Sequence, residues 1–104
     1  MQYIPDNLKE YESAANDIPD RLREIHGLLG AKWKLAAWQQ YRIHSNWIAG
    51  LEFGDRHFRL VCDRGYVDIY EIAGGRESQI LPPEDQRTSI SPRQIYELLA
   101  KAVA

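Results

Sequence analysis

Cysteine is almost missing from this chain: Cys62 is the only one. A lone thiol closes no internal disulfide and, without a second thiolate, builds no structural zinc site, so a reducing, cytoplasmic setting is expected. Long apolar runs are missing as well. Nothing approaches the uninterrupted stretch of about 18 residues that a membrane span needs. Residues 1–25 carry Asp6, Lys9, Glu10, Glu12 and Asp17 where an export signal needs an apolar stretch, so neither that route of export nor membrane insertion is expected. There is no basic excess either. Thirteen basic and fifteen acidic side chains leave a formal charge of -2, without the positive field that a phosphate backbone demands, and nucleic acid is not expected as a direct partner.

What is present is the composition of an ordinary globule. With 104 residues, 44% of them hydrophobic and 27% charged, the chain can bury one core but not two, so residues 1–104 form a single domain. Apolar residues in the first thirty positions recur at helical spacing, once as Ile4, Leu8, Tyr11 and Ala15 and again as Ile18, Leu22, Ile25 and Leu29. Pro5 suits the first turn of one helix. Pro19 disfavours the α conformation at Ile18 and separates the two registers, with Asp17 as N-cap of the second helix. Gly30 then takes the left-handed position that ends it.

Between Trp33 and Ile72 the period becomes two. Gly54-Asp55 has glycine first, as a two-residue type II′ hairpin requires, which pairs Phe53 with Arg56, Leu51 with Phe58, Ala49 with Leu60 and Trp47 with Cys62. A second tight turn at Arg64-Gly65 sets Cys62 against Val67 and Leu60 against Ile69, so both hairpins build one apolar face. The segment from Trp33 to Ile43 suits a strand through Trp33, Leu35, Ala37, Tyr41 and Ile43, although Leu35, Trp38 and Tyr41 also fit a helix. Taken as a strand, it joins Trp47 through a three-residue loop, His44-Ser45-Asn46. Residues 74–89 hold Gly74-Gly75 and Pro82-Pro83 and few apolar groups, which predicts a turn and a long surface connection, with a short extended piece at Gln79 to Leu81. Ser91-Pro92-Arg93-Gln94 has the layout of a capping box, opening a last helix with Ile95, Leu98, Leu99 and Ala102 as its stripe. The expected fold is α+β: a four-stranded antiparallel meander with N-terminal helices and a C-terminal helix packed on one face.

Chemistry-bearing residues do not converge. His26 falls in a helix, His44 in a turn and His57 on a strand, with no metal-ligand spacing among them. Cys62 and His57, five apart on one strand, point to opposite faces, so Cys62 reads as a small core residue and not as a nucleophile. Asp63, Asp68 and Glu71 occupy exposed or turn positions where no acid and base roles separate. No catalytic residue, metal site or cofactor is assigned, and an enzyme is not expected. The opposite face of the sheet is more telling. The same pairing sets Glu52 against His57, Arg59 against Tyr70, Val61 against Asp68 and Asp63 against Tyr66, a polar face rich in the residue types that anchor protein interfaces. Its alternative role is a solvated face in which Arg59 stacks on Tyr70. Charge is uneven too, residues 1–30 holding six acidic and three basic groups. Asp17, Asp20 and Glu24 around the second helix could meet a basic partner, or simply complement the helix dipole.

The run His57-Phe58-Arg59-Leu60-Val61-Cys62-Asp63-Arg64-Gly65-Tyr66-Val67-Asp68-Ile69-Tyr70 resembles a hairpin of small bacterial immunity proteins, the antitoxins of contact-dependent inhibition and related polymorphic toxin systems. The resemblance implies a cytoplasmic, non-enzymatic binder that occludes the active site of a cognate toxin domain, often a nuclease. Its family carries no shared binding residues. The expected contacts are therefore those of the charge and face arguments: Asp17, Asp20, Glu24, Arg59, Tyr66, Asp68 and Tyr70. A monomer is expected rather than a dimer. The alternatives are a secretion chaperone or adaptor dimer, and a small ligand-binding domain whose pocket Trp33, Trp38 and Trp47 could line.

Overall fold

The structure is a computed structural model and describes residues 18–40 and 46–104. The order of elements is α1 (Asp20–Leu29), β1 (Trp33–Gln40), β2 (Trp47–Phe53), β3 (Arg56–Asp63), β4 (Tyr66–Ala73), β5 (Arg76–Ile80), a 3-10 turn (Glu84–Gln86) and α2 (Pro92–Ala102). The strands form one antiparallel sheet in the order β1-β2-β3-β4-β5. The α+β class therefore holds, with five strands where four were expected. The expected helix over residues 4–15 and the loop residues His44 and Ser45 lie outside the described residues.

The central hairpins follow the turn chemistry. Trp47, Ala49, Leu51 and Phe53 stand opposite Cys62, Leu60, Phe58 and Arg56, and Cys62 and Leu60 stand opposite Val67 and Ile69. Gly54 takes positive φ (61°), and at the second turn both Arg64 (53°) and Gly65 (88°) do, the latter being the pattern of a type I′ hairpin. Arg64 is not glycine, and its conformation is held from outside: its amide donates to Asn46 Oδ1 at 2.8 Å, while Asn46 Nδ2 donates to Asp63 Oδ1 at 3.2 Å.

The fifth strand corrects the expectation for residues 74–89. Gly74 and Gly75 both have positive φ (58° and 77°) and join Ala73 to Arg76 as another two-residue hairpin. Arg76–Ile80 has no apolar alternation to announce it because it is an edge strand, with three of its five residues exposed. Ile80, opposite Ile69, supplies its one apolar contact with the core.

β1 is a strand, but its register differs from the one expected. Leu35 pairs with Leu51 and Ala37 with Gly50, so Ala36 is a bulged extra residue. The bulge shifts the alternation by one and brings Trp33, Leu35 and Trp38 onto the same face, opposite Phe53, Leu51 and Ala49. This resolves the helix-like Leu35-Trp38 spacing. It also corrects the pairing: Gln40, not Ile43, faces Trp47, and Tyr41 and Ile43, expected in the strand, lie outside the described residues.

One core lies between the sheet and the two described helices. Trp33, Trp38, Trp47, Ala49, Leu51, Phe58, Leu60, Cys62, Val67 and Ile69 from the sheet meet Leu22 and Ile25 of α1, Ile90, and Ile95 and Leu99 of α2. The tryptophans are core: Trp33, Trp38 and Trp47 are buried, and Trp33 packs on Phe53 and Phe58 at 5.0 and 5.2 Å between ring centroids. α1 begins after Pro19, which occupies the N-cap position without a side-chain cap, so Asp17, itself outside the described residues, is not that cap. Gly30 ends the helix with φ 86°. α2 carries the expected capping box: Gln94 N–H donates to Ser91 Oγ at 3.2 Å and Ser91 N–H to Gln94 Oε1 at 2.7 Å.

Candidate functional site

With both described helices on one side, the second face of the sheet is where side chains of different strands meet for reasons other than that core. Its residues follow from the register: Lys34, Ala37 and Gln39 on β1, Ile48, Gly50 and Glu52 on β2, His57, Arg59, Val61 and Asp63 on β3, Tyr66, Asp68, Tyr70 and Ile72 on β4, and Glu77 and Gln79 on β5. Arg59 stands at the centre and divides this face into two halves of different character.

Arg59 is buried, only 2% exposed, and is not the solvated contact residue expected from the alternation. Its guanidinium carbon lies 4.7 Å from the centroid of the Tyr70 ring, the stacking that the cross-strand pairing foretold. It also forms an ion pair with Glu77, a partner that only the fifth strand provides. A buried guanidinium without a carboxylate would be costly, so these contacts keep Arg59 as an internal organiser of the face.

The half toward the Arg64-Gly65 turn is acidic and aromatic. Asp63 is exposed; Tyr66, Asp68 and Tyr70 are half-buried. Burial raises the Asp68 carboxyl above the usual carboxylate range, and the neighbouring Asp63 charge raises it further. Gln79 Nε2 donates to Asp68 Oδ1 at 3.3 Å. The Tyr66 phenol is likewise raised, first by burial and then by Asp68, against the opposing pull of Arg87. Desolvated acids with like-charged neighbours are groups whose ionised form a cation would favour.

The other half, beside the Gly54-Asp55 and Gly74-Gly75 turns, contains a cavity of about 390 Å³ lined by Ala36, Ala37, Gly50, Glu52, His57, Phe58, Arg59, Ile72, Gly75 and Glu77. Small residues from β1 and β2 form its apolar part, and Glu52, His57 and Glu77 bring polar groups from three strands. His57 Nδ1 lies 3.5 Å from Glu52 Oε2. The lining is not legible in the sequence pattern, because it depends on the Ala36 bulge and on β5; the Gly74-Gly75 pair is the local signal for the latter.

Of the remaining expected contacts, Asp20 and Glu24 are exposed on α1, and Asp20 pairs with Arg23 at 3.4 Å. α1 covers the opposite face of the sheet, so Asp20 and Glu24 do not share a surface with Tyr66, Asp68 and Tyr70. Asp17 lies outside the described residues. Cys62 is buried, and burial pushes its thiol up, away from a nucleophilic thiolate at neutral pH. His26 is tied structurally, Nε2 donating to the Trp33 carbonyl at 3.0 Å. Among the described residues no cluster of metal-ligating side chains occurs, and no helix is long and apolar enough to cross a membrane.

No protein-family model, no curated protein and no solved structure matches this chain.

Proposed function

We propose that this chain is a non-enzymatic immunity protein: a cytoplasmic, monomeric binder that neutralises a cognate bacterial toxin domain, a nuclease, by occluding its active site. The observation that carries the proposal is the Asp63-Tyr66-Asp68 half of the second face. There a carboxyl is held partly desolvated beside a second carboxylate, at a cost to the free protein that a basic partner surface would offset. Tyr66 and Tyr70 add large, orientable surface with few rotatable bonds, which suits a contact surface. A nuclease cleft, basic because it holds phosphate, is the complementary surface; the protein itself contacts no nucleic acid and no membrane. Asp20 and Glu24 on α1 would serve as a second, separate contact.

The test is copurification with the product of the gene immediately upstream, followed by protection of cells expressing that product. Binding weakened by Asp63→Asn and Asp68→Asn together, with a steep loss at raised ionic strength, supports the proposal. A chain that neither binds nor protects refutes it. A small ligand-binding domain is the second reading, favoured by the cavity beside Gly50.

A further inference from the structure

The cavity exists because side chains are missing where three strands meet. Register places Gly50 of β2 between Ala37 of β1 and Arg59 of β3, and Ala36 is the extra bulge residue beside it. A hydrogen and two methyl groups therefore stand where a regular sheet face would raise full side chains. Ile72 and the Gly75 backbone close the side toward β4 and β5. The resulting volume of about 390 Å³ falls within the range of small-molecule sites.

Its charge is unbalanced. The lining holds two carboxylates, Glu52 and Glu77, and one guanidinium, Arg59. Arg59 and Glu77 form an ion pair, with Tyr70 stacked on the guanidinium, so that pair is neutral and internally engaged. Glu52 is left with His57, whose Nδ1 lies 3.5 Å away, beyond a good hydrogen bond. Lys34, opposite Glu52 on β1, is exposed and takes no part in the lining. Among the described residues Glu52 thus has no lysine or arginine partner, and it stands over a floor of small and apolar groups that includes Ile72 and Phe58.

We infer that the cavity beside Gly50 binds a small organic monocation, a protonated amine or guanidinium on a compact apolar body, with Glu52 receiving the cationic head. The inference rests on the ligand-binding reading of the cavity and does not require a toxin partner. The cationic group could belong to a free small molecule or to a lysine or arginine side chain of another protein.

The experiment is a heteronuclear NMR titration of the full chain with butylguanidinium and isopentylammonium. Isopentanol and 4-methylpentanoate serve as neutral and anionic isosteres. Saturable shifts at the Gly50 and Gly75 amides and the Ile72 methyls are expected with the cations. They should be weaker by about tenfold with the alcohol, the worth of one charge-assisted hydrogen bond. Glu52→Gln should reduce cation binding to the alcohol's level, and because Glu52 is only half-buried the variant's spectrum should stay dispersed. Ala37→Leu, which fills the floor, should block every probe. Equal binding of cation and alcohol, or cation binding that Glu52→Gln leaves intact, overturns the inference. If only the isosteres bind, the cation is wrong and the cavity reading stands; if no probe shifts Gly50 or Gly75, both fall. A blocked Gly-Arg-Gly peptide separates the sources: binding matching that of free butylguanidinium supports a partner's side chain, and exclusion of the peptide alone supports a free molecule.

Discussion

Deleting Ala36 is expected to leave the fold intact, although removing one residue from a strand ordinarily turns every following side chain to the wrong face. The register explains the exception. Leu35 already faces Leu51 and Ala37 already faces Gly50, so excising the bulged residue closes the ladder without changing any partner, and Trp38 stays opposite Ala49. If Ala36 were an ordinary strand residue, its loss would eject Trp38, which is 8% exposed, from the core. Taking about 200 Å² of buried indole surface at about 25 cal/mol per Å² gives a penalty of ~5 kcal/mol for that ejection. With the bulge, the expected change is within about 1 kcal/mol, from loss of one half-buried methyl and of a locally unpaired amide. Urea unfolding followed by tryptophan fluorescence separates the outcomes, since Trp33, Trp38 and Trp47 are all buried and an ejected indole shifts the emission to the red. A loss of several kcal/mol with a red-shifted native spectrum would refute the bulge. The deletion also straightens an edge strand, so a concentration-dependent rise in mass by light scattering is expected, because bulges help keep edges from pairing.

Other perturbations test separate parts of the structure. Ser91→Ala removes the acceptor of the α2 capping box and should cost about 1 kcal/mol in chemical unfolding, more than the same change at Ser89, a described serine outside any cap. Arg64→Asn should raise stability by roughly 0.5–1 kcal/mol, since asparagine tolerates the left-handed conformation at this turn and the amide bond to Asn46 is kept. Arg56 donates from Nε and Nη2 to the two Glu71 oxygens, each at 2.8 Å, and these bonds lower the Glu71 carboxyl. A lowered acid adds stability above its unfolded pKa of about 4.3 that is lost as pH falls through the folded value, so the wild-type advantage over Glu71→Gln, read from urea midpoints, should shrink below pH of about 4. Asp68 has the opposite sign. Its carboxyl is raised, so the folded state favours the protonated form, and Asp68→Asn should raise stability at pH 7 relative to wild type, with the gain fading on acidification.

Legibility followed the reach of local chemistry. Turns of two residues fix register by covalent geometry, so Gly54-Asp55 and Arg64-Gly65 announced the core face of β2, β3 and β4 residue by residue. Ser91 and Gln94 announced the start of α2 for the same reason: both partners of each bond lie within one helical turn. Two features did not announce themselves. β5 is short, polar and at an edge, so packing imposes no apolar alternation on it, and Gly74-Gly75 was its sole local mark. The bulge at Ala36 is invisible in composition, since Ala36 and Ala37 are identical; its trace was the competing helical spacing of Leu35 and Trp38, which a strand accommodates only with one extra residue between them. The candidate site inherits both gaps. Arg59 and Tyr70 were placed together by register, but Glu77, the carboxylate that pairs with Arg59, sits on a strand that the pattern did not reveal.

The burial of Arg59 also changes what a partner can recognise on the second face. A guanidinium engaged with Tyr70 and Glu77 contributes no free positive charge at the surface; among the described residues no exposed arginine of the sheet stands between Asp63 and Asp68, while Arg87, outside the sheet, pulls on the Tyr66 phenol beside them. Arg64, exposed at the adjoining turn, is the nearest such cation in sequence, and its amide rather than its side chain is what holds the turn to Asn46. The sign of the patch is therefore set by sequestration as much as by composition. A chain whose formal charge is only -2 can in this way offer a locally acidic surface, which its total charge alone would not suggest.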